Sequence, residues 1–230
     1  VYLLLPTYLQ RAVLYLHANI DDYEIFENRT VAASKPQPWP FSKQYNQYQL
    51  GEAYVDTLAN YETTAFLIIK DSAISYEHYY EGYDEQSISN SFSAAKSIIS
   101  LLVGIAIFDT AIESVFQPVS DFIPSFSEGD KTNITIRDLL TMSSGLKWKE
   151  SYADPFSVTT KAYYGSDLKG LVNNVGSEEL SGQRFQDKSI DTQILAEVLE
   201  IATGQSVSDY AANRLWRKIG AENDALWSLD

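Results

Sequence analysis

The chain has no cysteine and only two histidines, His17 and His78. The absence of cysteine excludes disulfides, a thiolate nucleophile and a cysteine-ligated zinc site, and it leaves the redox compartment undetermined. Two histidines give little support to a Ser-His-Asp triad or a multi-histidine metal site. His17 falls in a predicted amphipathic helix over residues 7–18 and His78 in a predicted strand, so we expect structural roles for both. We expect no metal or organic cofactor.

Basic residues are also scarce, because 17 lysines and arginines stand against 31 aspartates and glutamates, for a net charge of −14. Phosphate contacts need a basic face, so we expect no nucleic-acid partner. The longest apolar stretches are too short to span a bilayer. The apolar residues 1–6 are interpreted either as the remnant of a removed signal or anchor, or as the start of a docking helix through Leu16. We favour an exported protein, periplasmic or secreted, with any membrane anchor preceding residue 1.

The remaining composition, 45% hydrophobic and 21% charged, is typical of a globular protein with one large domain or two small ones. Alternation and turn residues predict a hairpin with strands over 64–70 and 73–81. The segment from about residue 20 to 60 is predicted to be an irregular arm. After about residue 113 strand signals largely vanish, and helical patterns such as that over 189–202 dominate.

The short motif Ser-x-x-Lys gives the clearest indication of a catalytic function. It occurs at Ser93/Lys96, Ser144/Lys147 and Ser166/Lys169. Gly145 inside the second copy favours a loop, and Asp167 after the third suits an ordinary N-cap serine with a solvated lysine. Only the first copy is followed by about three turns of nearly uncharged sequence, residues 97–108, which predict a buried helix.

A helix that begins at Ser93 places Lys96 one turn on, on the same face. A serine hydroxyl needs a neighbouring base before it can act as a nucleophile. A lysine can serve if burial and the positive helix N-terminus favour its neutral form. The pair therefore indicates a Ser-Lys acyl-transfer enzyme, and the alternative is an N-cap serine beside an incidental lysine.

Four segments together give the chain a family resemblance, in the same order and over nearly its whole length. They are residues 92–97, 134–146, 182–192 and 215–222. The chain resembles the serine β-lactamase and penicillin-binding-protein superfamily, in the class C-like branch that includes esterases and 6-aminohexanoate-oligomer hydrolases. The resemblance implies a serine hydrolase that cleaves a small-molecule amide or ester through an acyl-enzyme on Ser93.

The resemblance also implies an α/β (α+β) fold of the β-lactamase type, with an antiparallel-sheet lobe and an inserted all-helical lobe. The expected parts are an N-terminal helix and arm over 1–60, a sheet lobe over 61–108 and 206–230, and a helical lobe over 109–205. The family's third motif and its last sheet strands are expected after residue 230. We therefore expect a fragment, one part of a cleaved protein, or a degenerate member whose partner chain supplies those strands.

The resemblance assigns the catalytic roles of nucleophile and base to Ser93 and Lys96. Asp187 occupies the position of the tyrosine that shuttles a proton in the family's second motif. An aspartate is normally ionised near neutral pH, so it cannot copy a phenol, and it is able to pair with Lys96 and hold it protonated. This departure leaves open the alternative of a catalytically impaired member or a non-catalytic binding or scaffold protein.

Two further residues complete the expected site. Ser189 matches the asparagine or serine of the second motif and is expected to hydrogen-bond the lysine or the substrate. Its alternative role is the N-cap of helix 189–202. Tyr152 resembles a substrate-contacting loop tyrosine of the oligomer-hydrolase branch, with a packing role as the alternative.

Overall fold

The structure, a computed structural model, describes residues 5–230, so most of the expected signal or anchor remnant, residues 1–4, lies outside it. Helix α1 spans Thr7–Tyr15 and ends earlier than the 7–18 predicted. It stops because Leu16 takes a left-handed conformation, with a φ of 61°. His17 is therefore exposed beyond the helix, and its assignment to the helix was wrong.

The predicted hairpin is confirmed as strands β2, Ala65–Lys70, and β3, Ala73–Tyr79, which pair antiparallel. Its two turn residues, Asp71 and Ser72, both have positive φ, 51° and 59°. Two positive φ values are what a two-residue turn needs to match the twist of the strands. His78 pairs across from β2, as the sequence predicts.

A second antiparallel pair of strands was not predicted from the sequence. Strand β1, Asn28–Val31, lies in the presumed irregular arm and pairs with β4, Ala225–Ser228, where no strand was expected. The arm also contains helix α2, Glu52–Asn60. Each strand has only four residues, so its hydrophobic pattern is too short to detect, and its partner lies some 200 residues away.

Helix α3, Ala94–Phe108, follows the hairpin and begins at the predicted place. Its inner face is buried through residues such as Leu102, Val103 and Ala106. Its outer face is not, since Leu101 and Phe108 are 54% and 82% exposed. The expectation of a fully buried helix was therefore only half correct.

The other helices surround the inner face of α3. They are α4 (Ile136–Leu140), α5 (Val158–Tyr164), α6 (Leu168–Asn174), α7 (Ser189–Thr203) and α8 (Val207–Ala211), the last running into a π-helical turn (Ala212–Trp216). The core forms where α3 and α4 contact α7. None of the helices in residues 5–230 combines the length and hydrophobicity that crossing a bilayer requires.

The helix caps test the local sequence signals. The capping box of α4, between Thr135 and Asp138, is present in full. Ser206 caps α8, because its hydroxyl accepts from the Asp209 N–H. The cap of α6 is Asp167, whose carboxylate accepts from the Gly170 N–H at 2.8 Å, so the N-cap role predicted for Ser166 was wrong.

The turn at Gly145 fixes a loop beside the candidate active site. The Gly145 carbonyl accepts from the N–H groups of Glu178 and Glu179, at 2.9 and 3.1 Å. The glycine has a φ of 71°, and a Cβ there would lie 2.2 Å from the Glu179 carbonyl oxygen. Only glycine meets both demands.

We predict that Gly145→Ala destabilises the protein by about 1–3 kcal/mol more than Gly204→Ala does. Gly204 is a matched control, because its φ is 66° but its Cβ would meet nothing within 4 Å. The control isolates the cost of the left-handed backbone, about 1–2 kcal/mol. Urea unfolding of both variants measures the difference, and equal losses would contradict the close approach.

Candidate active site

Ser93 occupies the N-cap position of α3 but does not cap it. The first turn is of the 3₁₀ type, because the N–H groups of Ala94, Ala95 and Lys96 donate to carbonyls three residues earlier, at 3.0, 3.1 and 3.1 Å. Within residues 5–230, neither the N–H nor the hydroxyl of Ser93 has a hydrogen-bond partner. Both groups are therefore free to meet a ligand.

The residue before the serine is held in an unfavourable conformation. Phe92 has a φ of 43°, which costs a residue with a Cβ about 1–2 kcal/mol. Strain of this kind is found disproportionately at functional sites. Here it turns the chain sharply into α3, and Ser93 is left exposed at the helix start.

Lys96 lies one turn further along α3 and forms the ion pair hypothesised from the sequence. Its Nζ donates to Asp187 Oδ1 at 2.6 Å. The lysine side chain is 20% exposed, whereas that of Asp187 is 63% exposed. A pair open to water on one side is worth only about 0.2–1 kcal/mol, so it can be opened by a competing ligand.

The expected site residues meet at one cavity of about 960 Å³. Ser93, Lys96, Ser189 and Tyr152 all line it, and Asp187 reaches it through Lys96. Tyr152 is 75% exposed, so the alternative of a packing role was wrong. The size is within the range of small-molecule sites.

Ser189 is the first residue of α7 and not its cap, so its alternative N-cap role was wrong. Its N–H donates to Glu150 Oε1 at 2.5 Å. Glu150 also accepts from Trp148 Nε1 at 2.9 Å and from Thr159 Oγ1 at 3.1 Å. A carboxylate at a helix N-terminus is electrostatically favourable, so Glu150 joins the loop before α5 to the start of α7 and positions Ser189.

Lys188, between Asp187 and Ser189, is only 2% exposed. Its Nζ donates to the Leu146 carbonyl and lies 3.7 Å from Glu178 Oε1. Glu179 is also paired, with Arg184. Glu178 and Glu179 thus each pair with a cation while remaining partly solvated, at 41% and 37% side-chain exposure.

Asp191 is the most deeply buried carboxylate near the site, with no exposed surface. Its Oδ1 accepts from Ser144 Oγ at 2.6 Å, whereas its Oδ2 has no partner within the described part of the chain. Burial raises its pKa to about 7, against the opposing effects of the Ser144 hydrogen bond and of the charges on Lys188 and Lys96.

Sequence reasoning missed Glu150, Lys188 and Asp191. Each acts through a partner distant in the chain, so no local spacing marks it. The one available signal is a charged residue at an apolar position of a helical stripe, which Asp191 provides between Ile190 and Ile194.

The candidate site thus combines an exposed serine at the start of a long helix, a lysine one turn on, and the start of a second helix beside them. The chain belongs to the Beta-lactamase family, whose model matches residues 52–230. The fold agrees, since a structure assigned as a 6-aminohexanoate-dimer hydrolase from Bacillus anthracis superposes with a TM-score of 0.78, at 16% identity. FmtA from Staphylococcus aureus superposes with a TM-score of 0.56 over 79% of this chain and 51% of that one, at 19% identity.

Among curated proteins, the chain is 25% identical over 179 residues to the 6-aminohexanoate-dimer hydrolase of Paenarthrobacter ureafaciens. That match covers 73% of this chain and 45% of the relative. The Bacillus anthracis match covers 98% of this chain and 64% of that one. The chain thus spans about half to two thirds of the length of these proteins.

We predict that Asp191→Asn stabilises the protein increasingly as the pH rises from about 4 to about 7. The wild-type carboxyl has a pKa of about 7 when folded and an ordinary value of 3.8. The unfolded chain therefore releases this proton first, and the wild type loses stability across that window. The accumulated difference is roughly 4 kcal/mol, with no further change above about pH 8.

Urea unfolding of both proteins at pH 4.5, 6 and 8 measures this difference. Ser144→Ala is the companion variant, because it removes the hydrogen bond that favours the ionised form and should extend the loss to higher pH. A pH-independent difference between wild type and Asp191→Asn would contradict the assignment.

Proposed function

We propose that the protein is a serine hydrolase that transfers the acyl group of an ester or amide to Ser93 and then to water. The observation that carries the proposal is the start of α3, where the hydroxyl and the N–H of Ser93 face the same cavity as Lys96 and have no partner among residues 5–230. A nucleophile, a base and an oxyanion donor are the three parts that acyl transfer needs. Membership of a family with hydrolases among its relatives supports the same conclusion.

In this mechanism Ser93 Oγ attacks the carbonyl carbon while the neutral amine of Lys96 takes the hydroxyl proton. The carbonyl oxygen gains the negative charge and accepts from the Ser93 N–H. The bond to the leaving group then breaks, and Lys96 returns the proton to the leaving oxygen or nitrogen. Water attacks the acyl-enzyme in the same way, and the acid leaves with Ser93 restored.

Asp187 sets the main restraint on this cycle. Proton abstraction needs the neutral amine of Lys96, whereas the carboxylate at 2.6 Å stabilises the ammonium. The pair is weak because Asp187 is mostly solvated, so its effect on the rate is about fivefold at most. On this account Asp187 slows the enzyme and does not abolish its activity.

A second oxyanion donor forms part of the proposal. We propose that it comes from further sequence of the gene product or from a second chain, on strands that cover the outer face of α3. The exposure of Leu101 and Phe108 supports this position, because large apolar side chains on one helix face mark a surface that is normally covered.

A non-catalytic binding protein is the second candidate. The Lys96–Asp187 pair is the observation that favours it, since a binding groove has no need of a free base. The strained Phe92 and the unpaired Ser93 favour the enzyme, because a binding groove gains nothing from either.

We predict that Ser93→Ala lowers kcat for p-nitrophenyl acetate at least a thousandfold in the full gene product, because it removes the hydroxyl that attacks the ester. Ser97→Ala is the matched control, since Ser97 is exposed on the same helix and does not line the cavity. It should retain wild-type activity. Equal activity of the two variants would exclude Ser93 as the nucleophile.

We predict that Asp187→Asn raises kcat/KM about 1.5- to 5-fold, which is the rate equivalent of a pair worth about 0.2–1 kcal/mol. Asp187→Tyr should raise it further, because a phenol can also carry a proton. Glu179→Gln breaks another exposed ion pair, with Arg184, and should leave the rate unchanged. No gain from either Asp187 variant would favour the binding protein.

A further inference from the structure

The cavity at Ser93 is longer than the catalytic chemistry requires. From Ser93 and Lys96 it continues to α1, where Val13 and Leu16 form part of its wall. Its other walls are mostly apolar, with Ile99, Trp148, Tyr164 and Ile190 all at most 5% exposed. A volume of about 960 Å³ is close to the upper end of the usual range for small-molecule sites.

The lining is also almost free of charge. Apart from tyrosines, its only ionisable side chains within the described residues are Lys96 and His17, and it has no carboxylate. A cationic substituent would therefore lose its water without gaining a counter-ion. An anionic one would meet a protein of net charge −14 whose one cavity ammonium is already paired with Asp187.

We propose that this cavity holds the acyl part of the substrate, and that this part is an uncharged, mainly aliphatic chain extending from Ser93 towards α1. The inference rests on the proposed function and specifies its substrate class. The acyl part is assigned to the cavity because it stays bound through both chemical steps. The leaving group departs on the open side, where Ser93 and Asp187 are exposed.

The first test is a series of p-nitrophenyl esters from acetate to octanoate, each below its solubility limit, with the full gene product. The leaving group is constant, so only the acyl chain changes. Burial of each added methylene should raise kcat/KM about fourfold until the cavity is filled. Hydrolysis of acetate with no gain, or a loss, on lengthening the chain would overturn the proposal.

A second series, in which the leaving group and not the acyl part is lengthened, tests which part of the substrate the cavity binds. Acetates of ethanol, butanol and octanol lengthen the leaving group alone, and kcat/KM should change less than threefold across them. A steep rise in this series, with a flat acyl series, would assign the cavity to the leaving group and overturn the proposal.

Binding to the Ser93→Ala variant separates this inference from the proposed function. The probes are 2-butanone, 2-hexanone and 2-decanone, followed through the change in tryptophan fluorescence, to which Trp148 and Trp227 contribute because both line the cavity. Affinity should rise steadily with chain length. Chain-length-dependent binding without any ester hydrolysis would support the cavity assignment and refute the hydrolase. Hydrolysis without such binding would support the hydrolase and refute the cavity assignment.

A pair of variants on α1 tests where the aliphatic chain of the substrate lies. Val13 lines the cavity and its neighbour Leu14 does not, although both are about half exposed, at 54% and 63%. Val13→Trp should lower kcat/KM at least fivefold more for octanoate than for acetate. Leu14→Trp should alter neither, and equal effects of the two variants would contradict a chain along α1.

Discussion

The contact between α3 and α7 is the interaction on which the rest of the site depends. The inner face of α3 is buried against α7, and both helices contribute fully buried side chains such as Leu102 and Ile194. Since both helices begin near the cavity, this packing brings Ser93 and Lys96 to Ser189. Burying apolar surface here therefore does more than stabilise the fold, because it sets the distance between the candidate catalytic groups.

The charged side chains on the two sides of this contact differ in their exposure to solvent. On the open side, Lys96 and Asp187 form a solvated pair that a competing ligand is able to disrupt. On the inner side, Lys188 and Asp191 are almost completely buried and keep fixed partners, the Leu146 carbonyl and the Ser144 hydroxyl. The inner groups hold the loops in place, and the outer pair remains available for chemistry.

The exposure of Asp187 limits how strongly it binds Lys96. A buried aspartate beside the base would bind it strongly, since two charges at this distance attract far more in a low dielectric than in water. Because Asp187 is 63% exposed, water weakens the attraction and leaves the lysine accessible. Under the proposed function, an aspartate at this position is thus compatible with a slowed enzyme.

The structural features that could be predicted from the sequence are those that short-range patterns encode. The β2–β3 hairpin, the start of α3 and the capping box of Thr135 all follow from residues within one or two turns of each other. The β1–β4 pair and the role of Glu150 did not, because each depends on a partner brought close only by folding. Ser189 illustrates both cases, since its place at the cavity was expected, whereas the Glu150 carboxylate that accepts from its N–H was not.

The central claim is that the start of α3 activates Ser93 as a nucleophile. Intact mass spectrometry of the full gene product after exposure to a fluorophosphonate, followed by peptide mapping, tests it most directly. The account predicts one covalent adduct, on Ser93, that is absent from Ser93→Ala. A folded protein that remains unmodified, or an adduct on another residue, would contradict it.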